Sequence, residues 1–366
     1  MDQIDRLGSS RSRMTGGGFW PKANGDRHMT KSGQRADPPM RDAGATQACA
    51  DKPVLIGIDW GSSNLRVALV DEHGGLMDRR ESPVGVFAVQ EGHFAEALLP
   101  LCADWLVQHQ VPLLACGMIG SRQGISDVPY VTCPASANDL AERLGQVELP
   151  PVDGLTPGQA VQLHIVAGLN TGSHAAGWDV LRGEETQLFG LPDGAARLFV
   201  LPGTHSKWMK RSGGGQIETF QTYMTGELFE LLRNHSSLSR VMSAGPASPK
   251  AFQQGVAEAC AKGLENLLFR VRTAGLMGRF QSHELPDYLS GLLIGAEIKA
   301  GLSRFSPPDK HTPIPLLGSP ELTQRYASAF AQFGQAVVEM PGDAVFNGLL
   351  RIARAAGLLN RATVAT

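Results

Sequence analysis

The residues best suited to chemistry lie in Asp59-Trp60-Gly61-Ser62-Ser63-Asn64, a carboxylate followed by a turn of glycine and small hydroxyl residues. Such a turn lets backbone N–H groups close around a phosphate, while an aspartate at a strand end can hold hydrated Mg²⁺. The elements that would position them are legible on either side. Val54, Leu55, Ile56 and Ile58 read as a buried strand, and Leu65, Val67 and Leu69 alternate with Arg66 and Ala68 as in a half-exposed one. An ordinary hairpin with a solvated aspartate has the same local pattern, so the stretch alone does not decide.

A second stretch repeats the plan. Arg197 to Leu201 is an apolar strand, Pro202-Gly203-Thr204-His205-Ser206 a small-residue turn, and Lys207-Trp208-Met209 opens a further strand. Each copy then turns through glycines into a third strand, Gly74-Gly75 before Leu76 and Gly213-Gly214-Gly215 before Ile217. Two strand-turn-strand-turn-strand units in separate halves predict an α/β fold of duplicated ribonuclease-H-like domains, the actin-like ATPase plan, with the hairpins facing across an interdomain cleft. The expected division is a disordered extension over 1–50, a first domain over 51–190 and a second over 191–366. Residues 1–50 are rich in Gly, Ser, Arg and Asp and have no sustained periodicity; Phe19-Trp20-Pro21 is their one candidate for a partner-binding motif.

Further candidates fall where α/β folds place ligands. Val111 to Cys116 reads as a buried strand that ends in the loop Gly117-Met118-Ile119-Gly120-Ser121-Arg122-Gln123-Gly124, whose only cation is Arg122. Glu184 and Glu185 stand just ahead of the second hairpin, where adjacent acids are either a solvated helix face or a general base. Ile314 to Leu317 runs into Gly318-Ser319-Pro320, with Ser319 fitting an N-cap and Pro320 the first helical position. Thr225 fits another N-cap. One long helix is expected through Phe252, Val256, Ala259, Gly263, Leu267 and Val271, and a second through Leu289, Leu292, Leu293 and Ala296, whose Gly291 and Gly295 would let a neighbour approach closely.

Size and composition bound the function. The chain has 366 residues, 42% of them hydrophobic, and a formal net charge of −2, which suits two sizeable cores and gives no basic stripe for nucleic acid. No apolar run approaches a membrane span, and the N-terminus lacks a signal-peptide core, so a cytoplasmic protein is expected. Five scattered cysteines form no C-x-x-C pair and indicate neither a zinc knuckle nor a disulfide framework. Oligomeric state is not encoded in any feature of the sequence.

Four stretches together resemble the 2-dehydro-3-deoxygalactonokinase family: Gly57-Ile-Asp-Trp-Gly-Ser-Ser-Asn-Leu-Arg66, Gly117-Met-Ile-Gly-Ser-Arg122, Leu201-Pro-Gly-Thr-His-Ser-Lys-Trp208 and Tyr223-Met-Thr-Gly-Glu-Leu-Phe229. Arg182-Gly-Glu-Glu-Thr-Gln187 and Leu317-Gly-Ser-Pro-Glu-Leu322 also fit. The resemblance runs from about residue 54 to 360 and departs at Ile125-Ser126, where an aromatic and an acid are expected. It implies ATP-dependent phosphorylation of the C6 hydroxyl of 2-dehydro-3-deoxy-D-galactonate, a small-molecule sugar acid, with ATP and Mg²⁺ as cofactors.

On that reading the backbone of Gly61, Ser62, Ser63 and Asn64 and of Gly203, Thr204, His205 and Ser206 would hold phosphates, and Asp59 would order Mg²⁺ through water. Arg66 and Lys207 would supply countercharge, and Gly318 and Ser319 would border the adenosine. Glu184 or Glu185 would be the base, by analogy with a Gly-x-Glu-Glu stretch in related polyphosphatases; His205 is the alternative. Ser121 and Arg122 would bind the substrate, because a forked guanidinium suits a carboxylate. Two other functions fit the same fold. A polyphosphatase-like phosphohydrolase should line its path with several cations, whereas this loop has one. A non-catalytic sugar sensor usually carries an N-terminal helix-turn-helix, which the glycine-rich extension does not resemble.

Overall fold

The computed structural model describes residues 52–360 apart from 157, 173–176, 195, 196, 308 and 341, so the expectations for 1–50 lie outside the described residues. In the first half, β1 (Pro53–Trp60), β2 (Leu65–Asp71) and β3 (Leu76–Ser82) form an antiparallel meander. Helices α1 (Phe94–Leu98) and α2 (Ala103–His109) lead to β4 (Leu113–Gly117), which pairs parallel to β1. After the two-residue strand β5 (Val131–Thr132) and α3 (Ala137–Ala141) come β6 (Gly145–Leu149) and β7 (Val161–Ile165). The first sheet has the order β3-β2-β1-β4-β7-β6.

Short strands β8 (Leu169–Asn170) and β9 (Val180–Leu181) join β5 in a small three-stranded sheet, and α4 (Glu184–Phe189) makes the crossover. In the second half, β10 (Leu198–Leu201), β11 (Ser206–Arg211) and β12 (Ile217–Tyr223) repeat the meander. Helices α5 (Thr225–His235), α6 (Pro249–Ala261), α7 (Leu268–Leu276) and α8 (Leu285–Phe305) precede β13 (Ile314–Leu316). Helix α9 (Pro320–Gln332), β14 (Val337–Glu339) and α10 (Ala344–Ala355) complete the described chain. The second sheet is ordered β12-β11-β10-β13-β14. Stripped of the antiparallel edge strand β6, the first sheet has the same order and sense, so the duplication expected from two unlike sequences is present in the backbone.

The expected helix through Phe252 and Val271 is two helices. Its backbone turns extended at Lys262 (φ −131°, ψ 167°) before Gly263, because glycine gives the chain no reason to stay helical. Gly291 and Gly295 do admit a neighbour: a Cβ on Gly291 would lie 2.1 Å from the Phe252 carbonyl oxygen, and one on Gly295 would lie 3.0 Å from the Val256 Cα, so α6 and α8 meet backbone to backbone. Thr225 is the first helical residue rather than the cap, which is Met224, and Ser319 caps α9 without a side-chain hydrogen bond.

The last helix crosses back. Val345, Phe346, Leu349 and Ile352 of α10 are buried in the first lobe's core with Ile56, Ile58 and Leu69. The crossing of α4 and α10 is glycine-made: a Cβ on Gly348 would lie 1.8 Å from the Thr186 carbonyl oxygen, and one on Gly190 would lie 1.7 Å from that of Ala344. Gly348 therefore serves the junction of the lobes. No described helix is long and apolar enough to cross a membrane.

Candidate active site

The first hairpin is held from three sides. The Gly61 N–H donates to the Asn64 carbonyl at 3.0 Å, closing the turn, and the Val86 N–H donates to the Gly61 carbonyl at 3.0 Å. Trp60 is buried, and its indole N–H donates to the Val84 carbonyl at 3.0 Å. A Cβ on Gly85 would lie 2.0 Å from the Ser62 carbonyl oxygen, so only glycine can back this turn. Val84 to Val86 thus props the hairpin, a role that the residues of the segment do not announce in the sequence.

Asp59, at the end of β1, accepts the Arg66 fork from β2: Nε donates to Oδ2 at 2.9 Å and a terminal nitrogen donates to the same oxygen. Among the described residues its Oδ1 has only the Cys116 thiol, at 3.9 Å. A single carboxylate with one oxygen so lightly engaged suits a hydrated cation held through water, and does not suit a protein cage. Among the described residues no group of three potential metal ligands occurs. Arg66 is committed to Asp59 here and is not turned toward the turn.

The second hairpin is built differently. A Cβ on Gly203 would have no heavy atom within 4 Å, and one on Gly61 would meet only the Asn64 carbonyl oxygen, at 3.8 Å, so both turns present open space in which backbone can approach a ligand. Helix α5 starts against the second turn. A Cβ on Gly226 would lie 2.6 Å from the Gly203 carbonyl oxygen, and the Glu227 N–H donates to the Thr204 carbonyl at 3.0 Å. His205 pairs with Glu227. Beneath, the Ser206 hydroxyl donates to buried Glu297 at 2.7 Å.

The crossover joins the two. Gly183 has φ 110°, open to glycine alone, and a Cβ there would lie 3.2 Å from the Gly117 Cα; Gly117 itself abuts the Trp60 carbonyl, 2.6 Å from its own would-be Cβ. This backbone stack sets α4 beside the exit of β1. Glu184 then faces the second hairpin: Lys207 Nζ lies 3.2 Å from its Oε1, the Lys207 side chain being 6% and the Glu184 side chain 25% exposed. Lys207 Nζ also donates to the His205 carbonyl at 2.8 Å.

Glu185 is the opposite case. It is 0% exposed, with Oε2 accepting from the Gly183 N–H at 2.7 Å and Oε1 from the Thr186 hydroxyl at 2.8 Å. Burial, with the charge of Glu184 adding to it, pushes its carboxyl up to about 7. Of the two adjacent acids only Glu184 has a face open to a ligand.

The Arg122 side chain is 83% exposed, and its Nε donates to Asp127 at 3.3 Å. Ser121 is buried and spends its hydroxyl on the Met118 carbonyl at 2.7 Å, holding the loop's shape. The cation that anchors this loop is Arg182, which donates to the Val128 carbonyl at 2.7 Å and stacks 4.4 Å over the Tyr130 ring. Gly318 is close to the second hairpin: a Cβ on it would lie 3.2 Å from the Pro202 carbonyl oxygen.

Two ribonuclease-H-like lobes, each offering a small-residue hairpin, with an acidic crossover helix between them, define a protein of the actin-like α/β fold. The chain belongs to the 2-keto-3-deoxy-galactonokinase family, whose sequence profile matches residues 59–352. The 2-dehydro-3-deoxygalactonokinase of Escherichia coli (strain K12) is 35% identical over 303 residues, covering 81% of this chain and 96% of its own. A crystal structure of a Sinorhizobium meliloti protein, described as a candidate 2-dehydro-3-deoxygalactonokinase, superposes with a TM-score of 0.70 at 31% identity, covering 82% of this chain and 98% of that one.

Proposed function

We propose that this protein is a cytoplasmic kinase that transfers the γ-phosphoryl group of ATP to the C6 hydroxyl of 2-dehydro-3-deoxy-D-galactonate, a step of galactose or galactonate catabolism. The observation that carries the reading is the Glu184–Lys207 pair, a partly exposed carboxylate on the crossover 3.2 Å from an ammonium on the second hairpin. It puts a group able to orient an attacking hydroxyl next to one able to neutralise the transferring phosphoryl group. Family membership supports this reading over a phosphohydrolase or a non-catalytic sensor.

Phosphoryl transfer asks a protein mainly to position oxygens in line and to neutralise charge. Backbone N–H groups of Ser62 to Asn64 and of Gly203 to Ser206 hold the phosphates from opposite lobes, the Gly61 N–H being taken by the Asn64 carbonyl that closes the turn. Asp59 would hold Mg²⁺ through water, and the ion would supply charge neutralisation at the phosphates. Glu184 accepts the proton of the attacking hydroxyl once phosphate oxygens draw Lys207 from it. Glu185, with both oxygens committed to Gly183 and Thr186, keeps the crossover turn in place. Arg122 meets the sugar-acid carboxylate from its exposed loop, and Gly318 and Ser319 border the adenosine.

The test is a coupled ADP-release assay against a panel of 2-keto-3-deoxy sugar acids and neutral aldoses. Rapid turnover of 2-dehydro-3-deoxy-D-galactonate, absent with the aldoses, is expected. Phosphate release without any sugar acid would point instead to the phosphohydrolase, and sugar binding without turnover to the sensor.

A further inference from the structure

Glu297, halfway along α8, is 3% exposed and makes no salt bridge to a cation among the described residues. Its carboxylate is surrounded by neutral donors. Oε1 accepts from the Ser206 hydroxyl at 2.7 Å and the Trp208 indole N–H at 2.8 Å, Oε2 accepts from the Tyr326 hydroxyl at 2.6 Å, and the Thr225 hydroxyl completes the set. A buried carboxylate without a counter-ion is costly unless its lone pairs are filled, and four neutral donors are what such a group requires. An apolar residue would avoid the cost altogether, which asks what the carboxylate does in return.

The answer lies in where the donors come from. Ser206 closes the turn of the second phosphate hairpin and begins β11. Thr225 opens α5, whose next residue, Gly226, is pressed against Gly203 and Thr204 at the other side of the same turn. Tyr326 belongs to α9, which begins immediately after the Gly318-Ser319 corner. One side chain on a fourth element therefore fixes the floor of the phosphate turn, the helix clamped on its tip and the helix that starts at the adenosine corner. The Ser206 hydroxyl is thereby committed to Glu297 and is not offered to a phosphate.

We propose that Glu297 is the positioning residue of the nucleotide half-site, setting the second hairpin and α9 in the one mutual arrangement that receives the triphosphate and the adenosine together. This deepens the kinase reading above and rests on it. Glu297 touches no substrate and acts through Ser206, Thr225 and Tyr326.

The experiment measures nucleotide and sugar-acid affinity separately. Glu297→Gln keeps the volume but puts an amide N–H₂ where an acceptor stood, so the hydroxyls facing it must turn from donating to accepting and the four-donor arrangement is lost. The Kd of a non-hydrolysable ATP analogue, by calorimetry, is expected to rise about tenfold, while the KM of the sugar acid stays within about twofold. Tyr326→Phe and Thr225→Val, which remove one donor each and leave no large cavity, are expected to raise the same Kd by roughly threefold without moving the sugar-acid KM. These two decide the matter if Glu297→Gln does not fold. A lowered melting temperature with analogue affinity unchanged in all folded variants would overturn the proposal and leave Glu297 a core residue only. An equal rise in the sugar-acid KM would overturn it as well. Because the binding measurement needs no sugar acid, a wild type that binds the analogue yet phosphorylates no sugar acid would refute the kinase reading and leave this test intact.

Discussion

Glu184 and Glu185 are adjacent in sequence and stand in opposite environments, which gives each its own prediction. Glu184→Gln is expected to slow kcat by about 10²-fold or more, as for lost general-base assistance, with some fall in melting temperature because the nearly buried Lys207 loses its carboxylate partner. An enzyme of wild-type kcat would move the base elsewhere. Glu185 should show itself in stability. Its folded carboxyl holds a proton up to about 7 against an ordinary 4.5, the larger cause being burial. The folded chain thus binds more protons than the unfolded chain between those values, and stability falls as pH rises from about 4.5 to about 7, then levels off. The span corresponds to roughly 3 kcal/mol. Glu185→Gln mimics the protonated form, so it should match the wild type in melting temperature near pH 4.5 and exceed it at pH 8. A parallel decline of both proteins with pH would place the titrating group elsewhere. Arg122→Ala belongs at the same scale. Losing a charge-assisted bond worth about 1.5–3 kcal/mol should raise the sugar-acid KM roughly ten- to a hundredfold and leave the KM of ATP unchanged. A shift in the ATP value instead would assign the loop to the nucleotide.

Elements were legible wherever their own residues carry the pattern. The buried run before Asp59 and the alternation after it specify β1 and β2, and the same logic finds β10 and β11, because strand periodicity is local. The crossover acids were legible as a pair but not as two roles. Whether Glu184 or Glu185 faces the cleft depends on Gly183 leaving the strand at φ 110°, a conformation set by its contact with Gly117 some 66 residues earlier. The strands β5, β8 and β9 have two residues each, too short for any period, and they exist through pairing with one another and through the Ala135 bridge to Ile217. Partners were equally hidden: the amphipathic face of α10 reads plainly as helix, but not that it returns to the first lobe. Glycines at close approaches make this testable. Gly348→Ala forces a methyl to 1.8 Å from the Thr186 carbonyl oxygen and should cost about 3 kcal/mol, read as a clear fall in melting temperature. Gly203→Ala, with nothing within 4 Å of the new Cβ, should keep the melting temperature and raise the KM of ATP roughly tenfold by filling the turn. Reversal of that pattern would mean that the hairpin glycine is structural and the crossing glycine is not.

The two lobes share one hydrophobic core, in which Phe199, Met209, Ile217 and Phe220 of the second half belong with Ile56 and Ile58 of the first, and the backbone and polar contacts around that core bear on how the lobes can move. The α4–α10 crossing is rigid because backbone meets backbone at Gly190 and Gly348. On the far side Asp179 accepts from the Thr222 N–H at 2.6 Å and from its hydroxyl at 2.8 Å, and Ala135 exchanges hydrogen bonds with Ile217 at 3.0 and 2.8 Å. Neither contact involves a residue assigned above to phosphate or sugar-acid binding. Lys207 with Glu184 is different, since both partners are groups that phosphate and an attacking hydroxyl would compete for. The unliganded pair therefore holds the cleft mouth together with the same side chains that the reaction needs, and ligand binding replaces a contact between lobes with contacts through the ligand. Lys207→Met tests this. Without ligand, amide hydrogen exchange at Gly183 to Thr186 and at Thr204 to Lys207 should speed up relative to wild type, because the latch is gone while both anchors remain. With a non-hydrolysable ATP analogue the wild type should slow at the same amides, whereas the variant should gain less protection, having lost the ammonium that meets the phosphates. Unchanged exchange at both stretches in the unliganded variant would show that the anchors alone hold the lobes, and that the pair contributes only its charges to the site.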